Sequence, residues 1–299
     1  MFIQKDSAKM KAIFNLSIIL SVVLVIFTSC QDREISPTKG SLKCYVDESL
    51  YKVINDEKEA FIKVYPESKI ELVKVTAREG ITAILNGKTE LFISSRELND
   101  EEKKYCEQVK SEVRGFKFCY DAVVPIVSQK NSKEKTTIDE LKKILSGQTL
   151  GYSVFLPEQN SGVYEFLKIK LLENRIPIGV SLVKNEREVI KKVENSKRCL
   201  GFVGLNSIKT DSDKVKILDV ASRIIEGTDD NYYKPYVAYL LSESYPLVRT
   251  TAIFLNDIGV GLASGFATYL TSHDGQKVVA DNNLGPATVP VKMVELNRR

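Results

Sequence analysis

The chain has 299 residues, a formal net charge of +4 and 43% hydrophobic residues, an ordinary globular composition with length for one large or two modest cores. The near-neutral balance, without a basic run, excludes a nucleic-acid or polyanion surface. A single histidine and five scattered cysteines exclude a histidine-built metal centre and a Cys-His nucleophile.

The first element in chain order is a leader. Lys11 supplies a positive start, Ile18 to Phe27 an apolar run, and Thr28-Ser29-Cys30 a small-residue cleavage site ending on cysteine. This is the pattern of a lipoprotein signal peptide over 1–29, with lipid attached to Cys30. Met10, directly before Lys11, is a candidate initiator. The apolar run is shorter than the ~20 residues a spanning helix needs, and no stop-transfer cluster follows it. The mature chain is therefore expected at the cell envelope, lipid-anchored on the periplasmic or extracellular face of a membrane. Loss of Lys5, Asp6, Lys9 and Lys11 with the leader lowers its charge to +2. Residues 30–39 are polar, contain Pro37 and read as a flexible tether.

Strand and helix patterns then alternate, which predicts an α/β protein. Leu42 to Val46 reads as a strand and Ser49 to Val64 as a helix, with Leu50, Val53, Ile54, Phe61 and Val64 on one face and Pro66 as its stop. Ile70 to Val75 is a strand. Ile81, Ile84 and Leu85 mark a short helix ended by Gly87. Leu91 to Ser94 is a strand, and Asn99 with Glu102 forms a capping box. Phe116 to Val127 is a long apolar strand. Thr137 with Glu140 forms a second capping box that opens a helix ended by Gly147, and Leu150 to Phe155 is the next strand. Ser161 opens a helix carrying Val163, Phe166, Leu167 and Leu171. Val180 to Val183, Cys199 to Leu205 and Val215 to Val220 read as strands, with a helix over Glu186 to Glu194. Gly201 and Gly204 imply close backbone approach. Tyr236 to Leu241 and Arg249 to Leu255 read as strands, and Gly261 to Leu270 as a final helix. His273 is expected to be an exposed helix-end residue. Cys44, Cys106, Cys119 and Cys199 are scattered and hydrophobically flanked, and read as buried thiols rather than bridges.

Three segments place a small hydroxyl residue just after a strand and near a helix start: Asp47-Glu48-Ser49-Leu50, Ser94-Ser95-Arg96 and Asn160-Ser161-Gly162-Val163. Helix starts carry unpaired N–H groups and the positive end of the helix dipole, so they receive anions. In open α/β sheets such loops converge on one crevice. Taken singly, Ser49 and Ser161 read as plain N-caps, and Arg96 as a solvated or salt-bridged surface residue; only their joint order favours an anion site.

Their order is shared with a known family. Phe61-Ile-Lys-Val-Tyr-Pro66, Gly80-Ile-Thr-Ala-Ile-Leu-Asn-Gly87, Ile93-Ser-Ser-Arg-Glu-Leu98 and Asp121-Ala-Val-Val-Pro-Ile-Val127 resemble segments of the phosphate-binding proteins of ABC transporters. So do Tyr245-Pro-Leu-Val-Arg249, the run Gly265 to Gln276, and Leu284-Gly-Pro-Ala287. The resemblance covers nearly all of Gly40 to Leu296. It implies a two-lobed periplasmic-binding-protein fold with a hinge and an interlobe cleft. One lobe would comprise 40–124 and 240–299, the other 125–239.

The resemblance further implies that an oxyanion, foremost phosphate, is held by Ser49 and Leu50 from the first loop. Ser95 and Arg96 would add to it from the second, and Ser161, Gly162 and Val163 from the other lobe, with Arg96 as the main fixed positive charge. The implied role is capture for an ABC permease by a monomeric, non-enzymatic protein without cofactor, metal or nucleic acid. The chain departs from the family pattern in four places. Asp47-Glu48 stand where Gly-Ser is usual, and Ala77-Arg78-Glu79 where Gly-Ser-Gly is typical. No arginine precedes Ser161, and Val163 replaces a threonine. These departures support an alternative, an envelope lipoprotein that kept the fold for ligand sensing or protein contact. An envelope phosphatase is disfavoured, because no metal-ligand cluster or histidine lies near the loops.

Overall fold

The computed structural model describes residues 35–148, 150–208, 214–222, 232–257 and 259–288. The leader, Cys30 and residues 31–34 of the tether lie outside the described residues. Apart from Ile35, all described residues belong to one compact unit, Ser36–Arg299. No helix among them is long and apolar enough to cross a membrane.

The first half is built of strand–helix units. Strand β1 (Gly40–Asp47) ends in a single 3-10 turn (Glu48–Leu50) that leads into α1 (Tyr51–Val64). Then come β2 (Ser68–Val75), α2 (Ala77–Leu85), β3 (Leu91–Ser94) and α3 (Asp100–Gln108). Asn99 with Glu102 forms the expected capping box at α3, and Thr76 with Glu79 forms one at α2 that the sequence pattern left unread. Thr137 accepts from the Glu140 N–H without a return bond, because Lys133 and Thr136 take the Glu140 carboxylate. β4 (Arg114–Ser128) is the long strand expected from its apolar run.

Next come β5 (Lys135–Thr137), α4 (Ile138–Leu145), β6 (Ser153–Pro157), α5 (Gly162–Leu172), β7 (Val180–Val183), α6 (Glu186–Glu194) and β8 (Cys199–Gly204). The chain closes with α7 (Leu205–Ile208), β9 (Val215–Ile217), β10 (Asp219–Ala221), α8 (Val237–Leu241), β11 (Val248–Leu255), α9 (Leu262–Thr271), α10 (His273–Asp281) and β12 (Gly285–Pro286).

Three expectations are corrected. Val215 to Val220 is not one strand: it divides into β9, paired with β4, and β10, paired with β5. Tyr236 to Leu241 is not a strand: Tyr236 is extended and caps α8, of which only Leu240 is buried. A six-residue apolar run does not separate the two periods, and this one finds no strand partner. Leu150 to Phe155 is displaced: Leu150 has φ 49° in a turn, and the strand runs Ser153–Pro157. α10, capped by Ser272, is an addition the sequence pattern left unread. His273 is its first residue and is exposed. All four described cysteines are unbridged; Cys44, Cys119 and Cys199 are buried, whereas Cys106 is only half-buried.

The sheet order is β2-β1-β3-β11-β4-β8-β6-β7, with β9 and β12 also paired to β4. β2, β1 and β3 are mutually parallel, as are β7, β6 and β8. Between these blocks, β11 and β4 run antiparallel to their neighbours and to each other. One core, around Leu50, Val53, Phe61, Ile93 and Phe266, packs on the first block. Another, around Val124, Leu156, Val163, Leu167 and Phe202, packs on the second and includes Leu240, Tyr245 and Leu247. β4 contributes Phe118 and Cys119 to the first core and Ala122 to Val127 to the second.

Candidate anion site

The loops after β1, β3, β6 and β8 all leave the carboxyl ends of parallel strands, where crevices form in open α/β sheets. Asp47 ends β1 and turns its carboxylate back onto the chain. Its Oδ1 accepts from the Ser49 N–H at 3.0 Å, and its Oδ2 accepts from the Ser95 hydroxyl at 2.8 Å. Gly162 opens α5 against this pair: a Cβ there would lie 1.8 Å from Ser95 Oγ and 3.2 Å from Asp47 Oδ2. The Ser49 hydroxyl donates to Glu186 Oε1, and the Gly204 N–H donates to Glu186 Oε2 at 2.8 Å. A Cβ on Gly204 would meet Arg249 Nη2 at 2.8 Å and Ser49 Cβ at 3.0 Å. Arg249, on β11, lies opposite Asp121 on β4 and donates from Nε and Nη2 to its Oδ2 at 3.0 and 2.7 Å. Arg249 Nη1 and Asp121 Oδ1 are buried without a hydrogen-bond partner among the described residues.

Ser49, Ser95 and Gly162 therefore meet in one buried cluster, together with Asp47, Glu186, Gly204, Arg249 and Asp121. Ser161 is buried beside Gly162, and its hydroxyl accepts from the Tyr164 N–H at 3.2 Å, so it is an N-cap. Leu50 and Val163 turn their side chains into the two cores, leaving only backbone to offer.

Arg96 is not in the cluster. Its guanidinium makes a bidentate pair with Glu102, at 2.7 and 2.8 Å, and a second ion pair with Glu165 of α5. Arg78 joins from Nε, 3.4 Å from Glu165 Oε1, and its N–H donates to the Asn160 carbonyl at 3.2 Å. Ser49 lines a cavity of about 510 Å³ and Arg96 a different one of about 560 Å³.

The electrostatics follow from burial. Desolvation raises the Asp47 pKa against the pull of Arg249 and the two hydrogen bonds it accepts. Glu48, beside the cluster, is pushed up to about 8 by burial and then by the charges of Glu186 and Asp47. Arg249 stays cationic: desolvation opposes its charge, but Asp121, Glu186 and Asp47 outweigh it. The cluster thus offers two hydroxyls, the α5 start, one guanidinium with a spare N–H edge, and carboxylates that accept protons. No group of three metal-ligating side chains gathers among the described residues.

The cluster residues to which the sequence analysis gave no ligand role are Arg249, Asp47, Glu186 and Asp121. Arg249 and Asp121 stand inside resemblance segments without a role attached. Glu186, 137 positions from Ser49, carried no local signal.

Residues 33–274 match the model of the PBP superfamily domain. The chain belongs to the PBP superfamily, the periplasmic-binding-protein group. Membership of this superfamily points to a binding role. The phosphate-binding protein PstS of Staphylococcus haemolyticus is 24% identical, over 64% of this chain and 65% of that one. This PBP chain thus spans just under two thirds of that relative. PstS of Borreliella burgdorferi is also 24% identical, over 91% of this chain and 97% of its own.

Among solved structures, the fold matches a Clostridium perfringens chain described as a phosphate ABC transporter substrate-binding protein with bound phosphate. The TM-score is 0.71 at 20% identity, covering 83% of this chain and all of that one. An ABC-type phosphate transport receptor from Vibrio cholerae matches with TM-score 0.63 and 16% identity, over 83% of this chain. The mixed α/β architecture is that of periplasmic-binding-protein structures.

Proposed function

We propose that this chain is an extracytoplasmic solute receptor, anchored by lipid on Cys30, that captures phosphate in a protonated form and passes it to an ABC permease. The observation that carries this reading is the meeting of Ser49, Ser95 and Gly162 around Arg249 in one buried cluster. Micromolar capture needs about 8 kcal/mol. Hydrogen bonds to a charged group contribute about 1.5–3 kcal/mol each, so several donors must act together. The candidates are the two serine hydroxyls, the first N–H groups of α5 and the spare Nη1 of Arg249. Asp47 and Glu186 would repel a bare dianion, but a P–OH group can donate to either carboxylate. Sulfate has no proton to offer at neutral pH. Segments 40–124 with 240–299 would close on 125–239 about the crossing of β4 and β11.

The test is calorimetric titration of the mature, delipidated chain with phosphate and with sulfate. Saturable binding of phosphate alone is expected, lost on Ser95→Ala. Absence of saturable phosphate binding in folded protein would defeat the reading.

A second reading has its own support. Ser49 and Ser95 already spend their hydroxyls on the chain's own carboxylates, and Arg96 is held by Glu102 and Glu165. A receptor whose seat is self-occupied would serve sensing or contact with other envelope proteins. It predicts no heat with either anion.

A further inference from the structure

The cavity of about 510 Å³ beside the buried cluster is larger than an inorganic oxyanion requires, and falls in the range of small organic ligand sites. Its walls carry both charges, and Lys74 is near enough to Glu48 for its charge to act on that carboxyl. Glu48 and Glu186 stand together: the Glu186 N–H donates to Glu48 Oε1 at 3.3 Å. Glu186 already accepts from the Ser49 hydroxyl and the Gly204 N–H, whereas the Glu186 N–H is the one hydrogen-bond donor to Glu48 among the described residues, so Glu48 is the carboxyl group with more room for a guest.

Lys52, Lys74 and Arg187 line the same space. Lys52 is spoken for by Asp56 and Asn282. Lys74 lies 4.4 Å over the Tyr51 ring, and neither it nor Arg187 has an ion-pair partner among the described residues. Asn206, 1% exposed, lines the cavity as well. Its Oδ1 accepts from the Val53 N–H at 3.1 Å, while its Nδ2 is buried without a partner among the described residues.

A plain anion would meet Glu48 and Glu186, and a plain cation would meet Lys74 and Arg187. We infer that this cavity binds a small amphoteric solute, its ammonium on Glu48 and its acidic group on Lys74 and Arg187, with the Asn206 amide donating to one of its oxygens. Burial and Glu186 hold Glu48 protonated up to about pH 8, so an arriving ammonium displaces a proton. This site adjoins the phosphate cluster and shares Ser49 and Glu186 with it, but its contacts through Glu48, Lys74, Arg187 and Asn206 do not rest on phosphate capture.

The test is calorimetry of the mature chain with O-phosphoethanolamine, ethanolamine, glycerol 3-phosphate and inorganic phosphate, at neutral pH in two buffers of different ionisation enthalpy. O-phosphoethanolamine is expected to bind about tenfold or more tighter than ethanolamine or glycerol 3-phosphate, with release of a proton that Glu48→Gln abolishes. Arg187→Ala and Lys74→Ala, both at exposed positions, are each expected to weaken it about fivefold and leave inorganic phosphate unaffected. Equal affinity for glycerol 3-phosphate, or no response to Arg187→Ala, would overturn the inference while leaving phosphate capture standing. Binding of O-phosphoethanolamine without inorganic phosphate would uphold the inference and remove phosphate capture.

Discussion

Gly162 sits where any side chain must displace Ser95. The nearest atom to an added Cβ is Ser95 Oγ at 1.8 Å, with Asp47 Oδ2 and Ser95 Cβ behind it, both at 3.2 Å. Gly162→Ala therefore turns the Ser95 hydroxyl away from Asp47 and strands a buried acceptor. The expected cost is about 1–3 kcal/mol in chemical denaturation, with oxyanion affinity falling further than stability does.

Glu57 is the second residue with a clear consequence. It lies on the buried face of α1, 0% exposed, with both carboxyl oxygens unpartnered among the described residues. Burial, and to a lesser degree Asp56, pushes its pKa up to about 9. The folded-state value is raised above the unfolded one. Its contribution to stability is thus fully present below about pH 4.5 and is lost as pH climbs through 9. Melting temperature should fall between pH 5 and 9 on this account. Glu57→Gln should flatten that fall and stabilise the fold at pH 8 by about 1–2 kcal/mol; an unchanged pH slope would refute the assignment. Glu57 was invisible in the helical pattern, because a carboxylate on an apolar face is apparent only when that face is seen covered.

At the scale of elements, α5 is tied to the first half of the chain by Glu165, which takes both Arg96 and Arg78. Glu102 holds Arg96 from the start of α3 and also caps that helix through the Asn99 N–H at 2.8 Å. The Glu165 pair is the part of the network that joins distant segments. Glu165→Gln should leave α3 intact, cost about 1–3 kcal/mol, and speed amide exchange at Asn160 to Val163 and at Arg78. Exchange unchanged at those amides would show that the tie carries no mechanical load.

The elements themselves were readable where local chemistry is decisive. Asn99, Thr137 and Ser161, each read as a helix start, accept from N–H groups there. Glu186–Glu194 and Val180–Val183 match the pattern residue for residue. Tyr236 to Leu241 failed because its identity rests on having no strand partner, and α10 because a short polar helix carries little periodicity.

At the scale of the whole molecule, lipid attachment is expected to set where the protein works. Cys30→Ala should move it from the membrane fraction to the soluble one and abolish labelling by a radioactive fatty acid; retention in the membrane fraction would argue for another anchor. By itself, the sequence determined the alternation of strands and helices, the long β4, the caps, and the three hydroxyl-bearing loops, because each depends on a few neighbouring residues. Only the tertiary structure decided which charges meet. It put Arg249 and Asp121 into the cluster across a strand pair, brought Glu186 to Ser49, and drew Arg96 away to Glu102 and Glu165. Such pairings join residues up to 137 positions apart. Their energies arise from burial that exists only once the sheet has closed.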